Sequence, residues 1–262
     1  MNAPWIVLTD LDGTLLDARD FSVDPALPSI RRIQALGIPI VPVTSKTTAE
    51  VIPLAAELGL DGPAIVESGG AIVSLENGSN VVTPLGVAVE EIRARVPVIE
   101  RESDARLLLF SAMSEDEASA RSGLTGEALR RARERQFDEP FVLASGDLEP
   151  VILAAIQQGL AVREGGRFHH LSGPASKADA VRQLLSTFPP GTRVVAAGDA
   201  PMDGEFLALA DIAVIVRGAD GRPNASLVAA LPDAIITSQP GPAGWAEAMD
   251  FVLEARNAGS RS

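Results

Sequence analysis

The stretch I-V-L-T-D-L-D-G-T-L-L-D at residues 6–17 constrains this chain more than any other. The apolar run Ile6 to Leu8 predicts a short buried strand. Asp10 and Asp12 follow at its C-terminal end, and side chains two apart along an extended chain project the same way. Gly13 then permits a sharp turn without a Cβ clash. Two carboxylates side by side repel, so folding alone gives no reason to put them there. A divalent metal or a transferring phosphoryl group gives one. Asp and Gly are also ordinary turn residues. The motif takes its meaning from its position after an apolar strand and from the signals that follow it in order.

Composition narrows what such a pair can bind. With 262 residues, 46% of them hydrophobic, the chain has material for one large domain or for a core plus an insert. Cysteine is absent, which excludes disulfides and Cys-ligated zinc or iron–sulfur centres. Two histidines do not make a His-rich metal cage. A metal held by carboxylate and carbonyl oxygens points to Mg²⁺. The N-terminus enters the first strand without a basic region or a signal-like apolar core. No apolar run approaches the roughly 20 residues of a spanning helix. The expectation is a soluble, cytoplasmic protein with no membrane partner, monomeric or a homodimer. A net charge of −13 argues against nucleic acid as a partner. A small anionic substrate remains compatible with it, because local Lys and Arg reverse the field where they cluster.

Strand and helix signals alternate in the first part of the chain. Asp24-Pro25 reads as the N-cap and first turn of a helix ending near Gly37. Ile38–Val43 is the next strand. Thr47 and Glu50 have capping-box spacing for a helix ending near Gly59, and Ala64–Val66 is a third strand. Asn77-Gly78 suits a tight turn between strands at Ala71–Val73 and Val81–Val82. From Pro84 to Ser172 the character changes. Charged helical stretches (Glu90–Arg95, Glu127–Arg135) mix with short strands (Leu107–Phe110, Phe141–Ala144), and Gly165-Gly166 reads as a hairpin turn. After Ser176 the alternation returns, with strands at Arg193–Ala197 and Ile212–Val216 and a final amphipathic helix over Trp245–Ala258. The expected fold is α/β: a doubly wound, parallel-sheet (Rossmann-like) core from residues 1–83 and 173–262, with a small α/β cap inserted at 84–172.

Four segments fall at the C-terminal ends of expected core strands or at a helix start, where ligands bind in such sheets. They are Asp10/Asp12, Thr44-Ser45-Lys46, Lys177 and Asp199/Asp203. Together they supply a nucleophile, an acid, hydroxyl and amide donors, a cation and metal ligands. That set suits phosphoryl transfer, where catalysis is mostly positioning and charge neutralisation. The order D-L-D-G-T, V-T-S-K, a lone Lys and G-D-x-x-x-D resembles the haloacid-dehalogenase superfamily of phosphatases along the whole chain. The insert sits as in members with a large cap between the second and third motifs. Three stretches, V-T-S-K-T (43–47), R-Q-F-D-E-P-F (135–141) and G-G-R-F-H-H-L (165–171), are similar to mannosyl-3-phosphoglycerate phosphatases.

The resemblance implies a role for each matching position. Asp10 would be the nucleophile, forming an aspartyl-phosphate. Asp12 would protonate the leaving oxygen and later activate water. Thr44 and the Ser45 amide would hold phosphate oxygens, with Lys46 contacting substrate. Lys177 would neutralise the phosphoryl charge and steady Asp10. Asp10, the carbonyl of Asp12 and Asp199 would bind Mg²⁺, with Asp203 in support. Met202 departs from the pattern, since the family usually has Asn immediately before the last Asp, and a thioether is a poor partner for Mg²⁺.

Outside these motifs, Glu67-Ser68-Gly69-Gly70 reads equally as a tight turn or a substrate-facing loop. Arg133 reads as a solvated charge, whereas Arg135 and Arg167 are candidate carboxylate clamps. His169 and His170 alternate on a strand, so one faces in and one out, and each reads as structural. Trp5 and Trp245 read as core or near-core. The resulting expectation is a Mg²⁺-dependent phosphatase of mannosyl-3-phosphoglycerate or its glucosyl counterpart, a small phosphorylated sugar–glycerate. Its product would be an anionic compatible solute. The alternatives are a phosphatase of another sugar phosphate and a catalytically silent phospho-ligand binder.

Overall fold

Every residue of Ile6–Thr9 is buried, because the strand that carries them lies inside a sheet covered on both faces. In the computed structural model, which describes residues 3–74, 80–165 and 167–259, this strand is β1 (Trp5–Thr9). It pairs in parallel with β2 (Ile40–Pro42) on one side and β10 (Arg193–Gly198) on the other. Strands β11 (Ile212–Arg217) and β12 (Ile235–Pro240) extend the sheet in the order β12-β11-β10-β1-β2. Alternation along the strands feeds two core layers. Val7, Val195 and Val214 join helices α1 (Leu27–Ala35), α2 (Thr48–Leu58) and α10 (Gly241–Gly259), with Trp245 fully buried. Ile6, Leu8, Val194 and Ile215 join α7 (Lys177–Leu185), α8 (Gly204–Leu207) and α9 (Ala225–Ala230). The sheet is therefore doubly wound and parallel, as the strand–helix alternation predicts.

Strand β3 (Pro63–Val66) continues this edge through a parallel bridge between Val43 and Ile65, then forms an antiparallel sheet with β4 (Ala71–Ser74) and β5 (Val81–Pro84). The Asn77-Gly78 turn expected between β4 and β5 lies outside the described residues, as does Gly166 of the Gly165-Gly166 turn. The inserted stretch builds a second, antiparallel sheet in the order β6-β7-β9-β8, from β6 (Arg106–Leu109), β7 (Asp138–Ser145), β8 (Ala161–Glu164) and β9 (His169–Ser172). One face packs Leu107, Phe141 and Leu171 against α3 (Val89–Ser103) and α6 (Leu148–Gln157). The other face carries Leu108, Phe110 and Val142 against α4 (Glu115–Ser122) and α5 (Gly126–Ala132). Among the described residues no helix is long and apolar enough to cross a membrane.

Three boundaries differ from those expected. Helix α1 begins at Leu27, after a 3-10 turn over Asp24–Ala26, and Asp24 provides no side-chain cap. Pro28, which lacks an N–H, sits in the first turn instead, where none is needed. Helix α10 starts a turn before Trp245, with Pro242 directly after its first residue. Helix α5 ends at Ala132, short of Arg135, whose guanidinium reaches forward to Asp138 at 3.0 Å.

The Glu67-Ser68-Gly69-Gly70 stretch is a turn, and its role is to hold the insert. Glu67 is fully buried. Its carboxylate accepts the N–H groups of Gln136 (2.9 Å), Phe137 (2.7 Å) and Asp138 (3.2 Å), where β7 begins. Glu67 and Ser68 have φ of +46° and +58°, a left-handed backbone that non-glycine residues tolerate only when the surroundings impose it. We expect Glu67→Ala to lower unfolding stability by about 2–4 kcal/mol, since it leaves buried N–H donors unpaired. A shift in the urea midpoint checks this. An unchanged midpoint would show that the insert does not depend on this anchor.

Candidate active site

The central sheet brings the two aspartate motifs together because β1 and β10 are neighbours in register, Thr9 opposite Ala197. Asp10 leaves β1 with its N–H bonded to the Ala197 carbonyl at 2.9 Å, and Asp199 leaves β10 beside it. Between Asp10 and Leu15 the chain folds into a tight loop with Gly13 at φ +90°. A Cβ at Gly13 would stand 2.5 Å from Asp199 Oδ2, so that position requires glycine both for its φ and for the approach of Asp199. The Thr14 hydroxyl donates to Asp199 Oδ1 at 2.7 Å. On the other side Lys177, the first residue of α7, is placed by a capping box between Ser176 and Asp179. Its Nζ donates to Asp10 Oδ1 and to Asp203 Oδ1, each at 2.7 Å. Asp203 Oδ2 accepts the N–H groups of Asp199 and Ala200 at 3.1 and 3.0 Å. Both oxygens of Asp203 are thus engaged by protein donors.

Carboxylate oxygens of Asp10, Asp199 and Asp203 lie within 4.8 Å of one another. Burial, then the Asp203 charge, pushes the Asp10 carboxyl well above the ordinary range, and Lys177 offsets only part of this. Burial, then Asp203, likewise pushes Asp199 up to about 7. Burial alone would lower the Lys177 ammonium, but Asp10 and Asp203 outweigh it and hold it above its usual range. One ammonium faces three carboxylates, two of them buried and Asp199 half-buried, a negative excess of the kind that a hard divalent cation relieves.

A cavity of about 290 Å³ opens from these residues. Asp10, Asp12, Ser45, Lys46, Asp199 and Met202 line its floor, and Arg135, Arg167 and His170 from the insert line the opposite wall. Asp12 Oδ2 pairs with Lys46 Nζ at 2.9 Å, while Asp12 Oδ1 is buried with no hydrogen-bond partner among the described residues. Thr44 is buried and off the cavity wall, and its hydroxyl accepts the Lys46 N–H at 3.1 Å. Arg135 donates to the Ser45 carbonyl at 2.6 Å. Arg167 donates to the Ala18 carbonyl at 2.8 Å and to the Ser122 carbonyl. Arg133, expected to be solvated, instead donates to the Met113 carbonyl at 2.6 Å. The sequence reading assigned nothing to Thr14, Phe21 or Asp138. Thr14 stood inside the D-L-D-G-T motif and Asp138 inside R-Q-F-D-E-P-F, so a signal was present for both. No residue pattern marks Phe21, whose ring lies 5.0 Å from Lys46 Nζ and 5.5 Å from the Arg167 guanidinium.

A doubly wound sheet with clustered carboxylates and one lysine at its strand ends defines a hydrolase of the phosphoryl-transfer class. A model of the haloacid dehalogenase-like hydrolases matches residues 7–117. The chain is 32% identical over 266 residues to a glucosyl-3-phosphoglycerate/mannosyl-3-phosphoglycerate phosphatase of Persephonella marina, covering 95% of this chain and 97% of that protein. A protein of the same description from Methanococcoides burtonii is 31% identical over 270 residues, covering 96% and 98%. The crystal structure of a haloacid dehalogenase-like hydrolase from Bacteroides thetaiotaomicron shares the fold, with a TM-score of 0.69 at 21% identity over 95% of this chain and 99% of that one. The chain belongs to the haloacid dehalogenase-like hydrolases. It is a phosphoric monoester hydrolase acting on a small phosphorylated molecule.

The raised carboxyls fix how stability responds to pH. Asp199 moves from an ordinary 3.8 to about 7 and Glu67, through burial and then Asp138, from 4.5 to about 7. Above their ordinary values the unfolded chain has released these protons while the folded chain still holds them. Their contribution is therefore fully present below those values and is lost as pH rises through about 7. Acids held low, such as Asp138, act below the ordinary carboxylate range and leave this window to the raised pair. We expect the melting temperature in chelator to fall between about pH 5 and 7, less steeply in Asp199→Asn. A flat or rising profile in chelator would contradict the assignment.

Proposed function

We propose that this phosphatase is Mg²⁺-dependent and hydrolyses mannosyl-3-phosphoglycerate, or its glucosyl counterpart, to the glycosylglycerate and phosphate through an aspartyl-phosphate on Asp10. The observation that carries this reading is a single cavity with Asp10 and Asp12 on its floor and two guanidiniums on the facing wall. Carboxylates and guanidiniums lining one cavity support a substrate that carries a second anion beside its phosphate. The names of the two full-length relatives support the same substrate class. In this reading residues 84–172 act as a cap over a core of 1–83 and 173–262, and the product is an anionic solute of the compatible-solute kind.

The chain's own residues divide the chemistry. Asp10 attacks phosphorus, and the bond from phosphorus to the leaving oxygen breaks. Asp12 gives its proton to that oxygen, then takes one from the water that attacks the same phosphorus, and inorganic phosphate departs. Lys46 holds Asp12 Oδ2 and leaves Oδ1 without a partner among the described residues, which suits an atom that must meet the leaving oxygen and then water. Lys177 keeps Asp10 aligned and balances the phosphoryl charge. The Ser45 amide is the phosphate-holding group nearest the cavity, and Thr44 stands behind it through the Lys46 N–H. The donor set fits a hard cation: the oxygens of Asp10 and Asp199 with the carbonyl of Asp12 would hold Mg²⁺, and Asp203 would support them. When bound, that ion would neutralise charge developing on the phosphoryl oxygens. Met202 on the same wall offers only a thioether, so the ligands are oxygens of the neighbouring residues.

The glycerate carboxylate falls to Arg167, with Arg135 beside it. A buried carboxylate needs a paired cation, and a guanidinium offers two parallel donors. Phosphate release from a glycosyl-3-phosphoglycerate is expected with Mg²⁺ and is expected to stop in chelator. Arg167→Ala should raise KM for that ester by roughly ten- to a hundredfold and affect a plain hexose phosphate far less. Equal effects on the two esters would remove Arg167 as the carboxylate reader. Turnover of hexose phosphates alone would place the enzyme among phosphatases of another sugar phosphate.

A further inference from the structure

Strands β7 and β9 are paired with Phe141 opposite His169 and Pro140 opposite His170. Alternation therefore sends the two histidines to opposite faces of the inserted sheet. His169 stacks on Phe141, ring centroids 5.5 Å apart, on the face that packs against α3 and α6. His170 shares its face with Pro140, and both line the cavity with Arg135. Behind it, His170 Nδ1 lies 2.8 Å from Asp138 Oδ2, and Arg135 Nη1 lies 3.0 Å from Asp138 Oδ1. Asp138 is fully buried and His170 nearly so.

Chemistry fixes which nitrogen of the ring carries the proton. Burial pushes the Asp138 carboxyl up, but Arg135 and the His170 bond outweigh it and hold it below its ordinary value. Asp138 is therefore ionised and accepts only, so Nδ1–H donates to it. With Nδ1–H committed to Asp138, Nε2 is the nitrogen that carries the lone pair of an uncharged imidazole. Among the described residues no hydrogen bond to Nε2 is found, and the Gly165 backbone lies against that edge of the ring: a Cβ there would come within 2.9 Å of Nε2. A nearly buried imidazole with a fixed tautomer, one nitrogen anchored and the other unpartnered at the wall of a substrate cavity, is a preorganised acceptor. Arg135 and Arg167 are acceptors for nothing, since a guanidinium only donates. The wall needs an acceptor if the leaving group presents hydroxyls.

Resting on the reading that the leaving group carries a sugar, we propose that His170, oriented by Asp138, is a specificity-determining residue whose Nε2 accepts a hydrogen bond from a sugar hydroxyl. A site built to bond a hydroxyl discriminates strongly against a ligand that lacks it, because the buried polar atom is left unpaired. The test compares three esters: a glycosyl-3-phosphoglycerate, 3-phosphoglycerate, which keeps the carboxylate but lacks the sugar, and para-nitrophenyl phosphate. His170→Asn keeps a donor where Nδ1 stood, for Asp138, and removes Nε2. It is expected to lower kcat/KM on the glycosyl ester roughly ten- to a hundredfold, mainly through KM, and to leave the other two esters and the melting temperature close to the parent's. With the parent enzyme, a series of monodeoxy glycosyl esters carries the test if His170→Asn melts early: one position is expected to lose roughly ten- to a hundredfold in kcat/KM, and equal turnover of all of them overturns the proposal. Equal loss on all three esters, loss shared by 3-phosphoglycerate, or full activity on the glycosyl ester overturns the proposal. If a hexose phosphate, assayed beside these three, is the parent's preferred ester, a His170→Asn loss confined to it rejects the phosphoglycerate reading and keeps His170. A parent with no preference for any sugar ester over para-nitrophenyl phosphate rejects both.

Discussion

The ammonium of Lys177, 2.7 Å from both Asp10 and Asp203, is the interaction on which the site depends. It joins residues 167 and 26 positions away in the chain, and so ties the end of β1, the turn after β10 and the start of α7 at one point. Breaking a buried pair by removing one partner costs far more than the pair contributes, because the remaining charge is left without compensation. Here the remaining charges are several carboxylates within 4.8 Å. Lys177 therefore offsets much of the charge that burial gathers there, and the remaining negative excess makes the cluster receptive to a further cation. Parallel register sets this up: β1 and β10 must be adjacent and aligned for Asp10 and Asp199 to share one end of the sheet.

The insert closes the site through contacts of a different kind. Glu67 grips three N–H groups at the start of β7. The Thr47 hydroxyl donates to the Arg131 carbonyl at 2.9 Å, Arg135 donates to the Ser45 carbonyl and Arg167 to the Ala18 carbonyl. Each joins a loop beside the catalytic floor to the cavity-facing side of the insert. In three of them a charged side chain of one part bonds backbone groups of the other, so the two parts are held by directional contacts and not by apolar packing alone.

Much of this was legible in the sequence, for physical reasons. Apolar runs ending in acid pairs locate strand ends, and a doubly wound sheet places ligands there, so Asp10, Asp12, Lys46, Lys177, Asp199 and Asp203 were picked out and are found together. The capping box at Thr47 was also legible, being a purely local contact. Contacts that span the fold were not. Glu67 and the N–H groups it binds are about seventy positions apart, and no spacing rule links them. Asp138 and His170 are neighbours only because β7 and β9 pair in a particular register. Arg133 read as solvated because its helix is charged, yet the Met113 carbonyl captures it. Helix α1 starts after the expected Asp24-Pro25 because those residues form a 3-10 turn and Pro28 occupies the first helical turn, and α10 starts before Trp245, with Pro242 in its first turn.

The covalent step at Asp10 is the centre of the account. A rapid-quench single turnover with enzyme in excess over a phosphorus-labelled substrate tests it most directly. The account predicts transient label on the protein, stable to acid, released by hydroxylamine as an acyl-phosphate would be, and mapping to Asp10. It also predicts no label in Asp10→Asn. Steady phosphate release from the parent with no protein-bound label at any time, under conditions where chemistry outruns product release, would show that water attacks the substrate directly and would contradict the assignment of Asp10 as nucleophile.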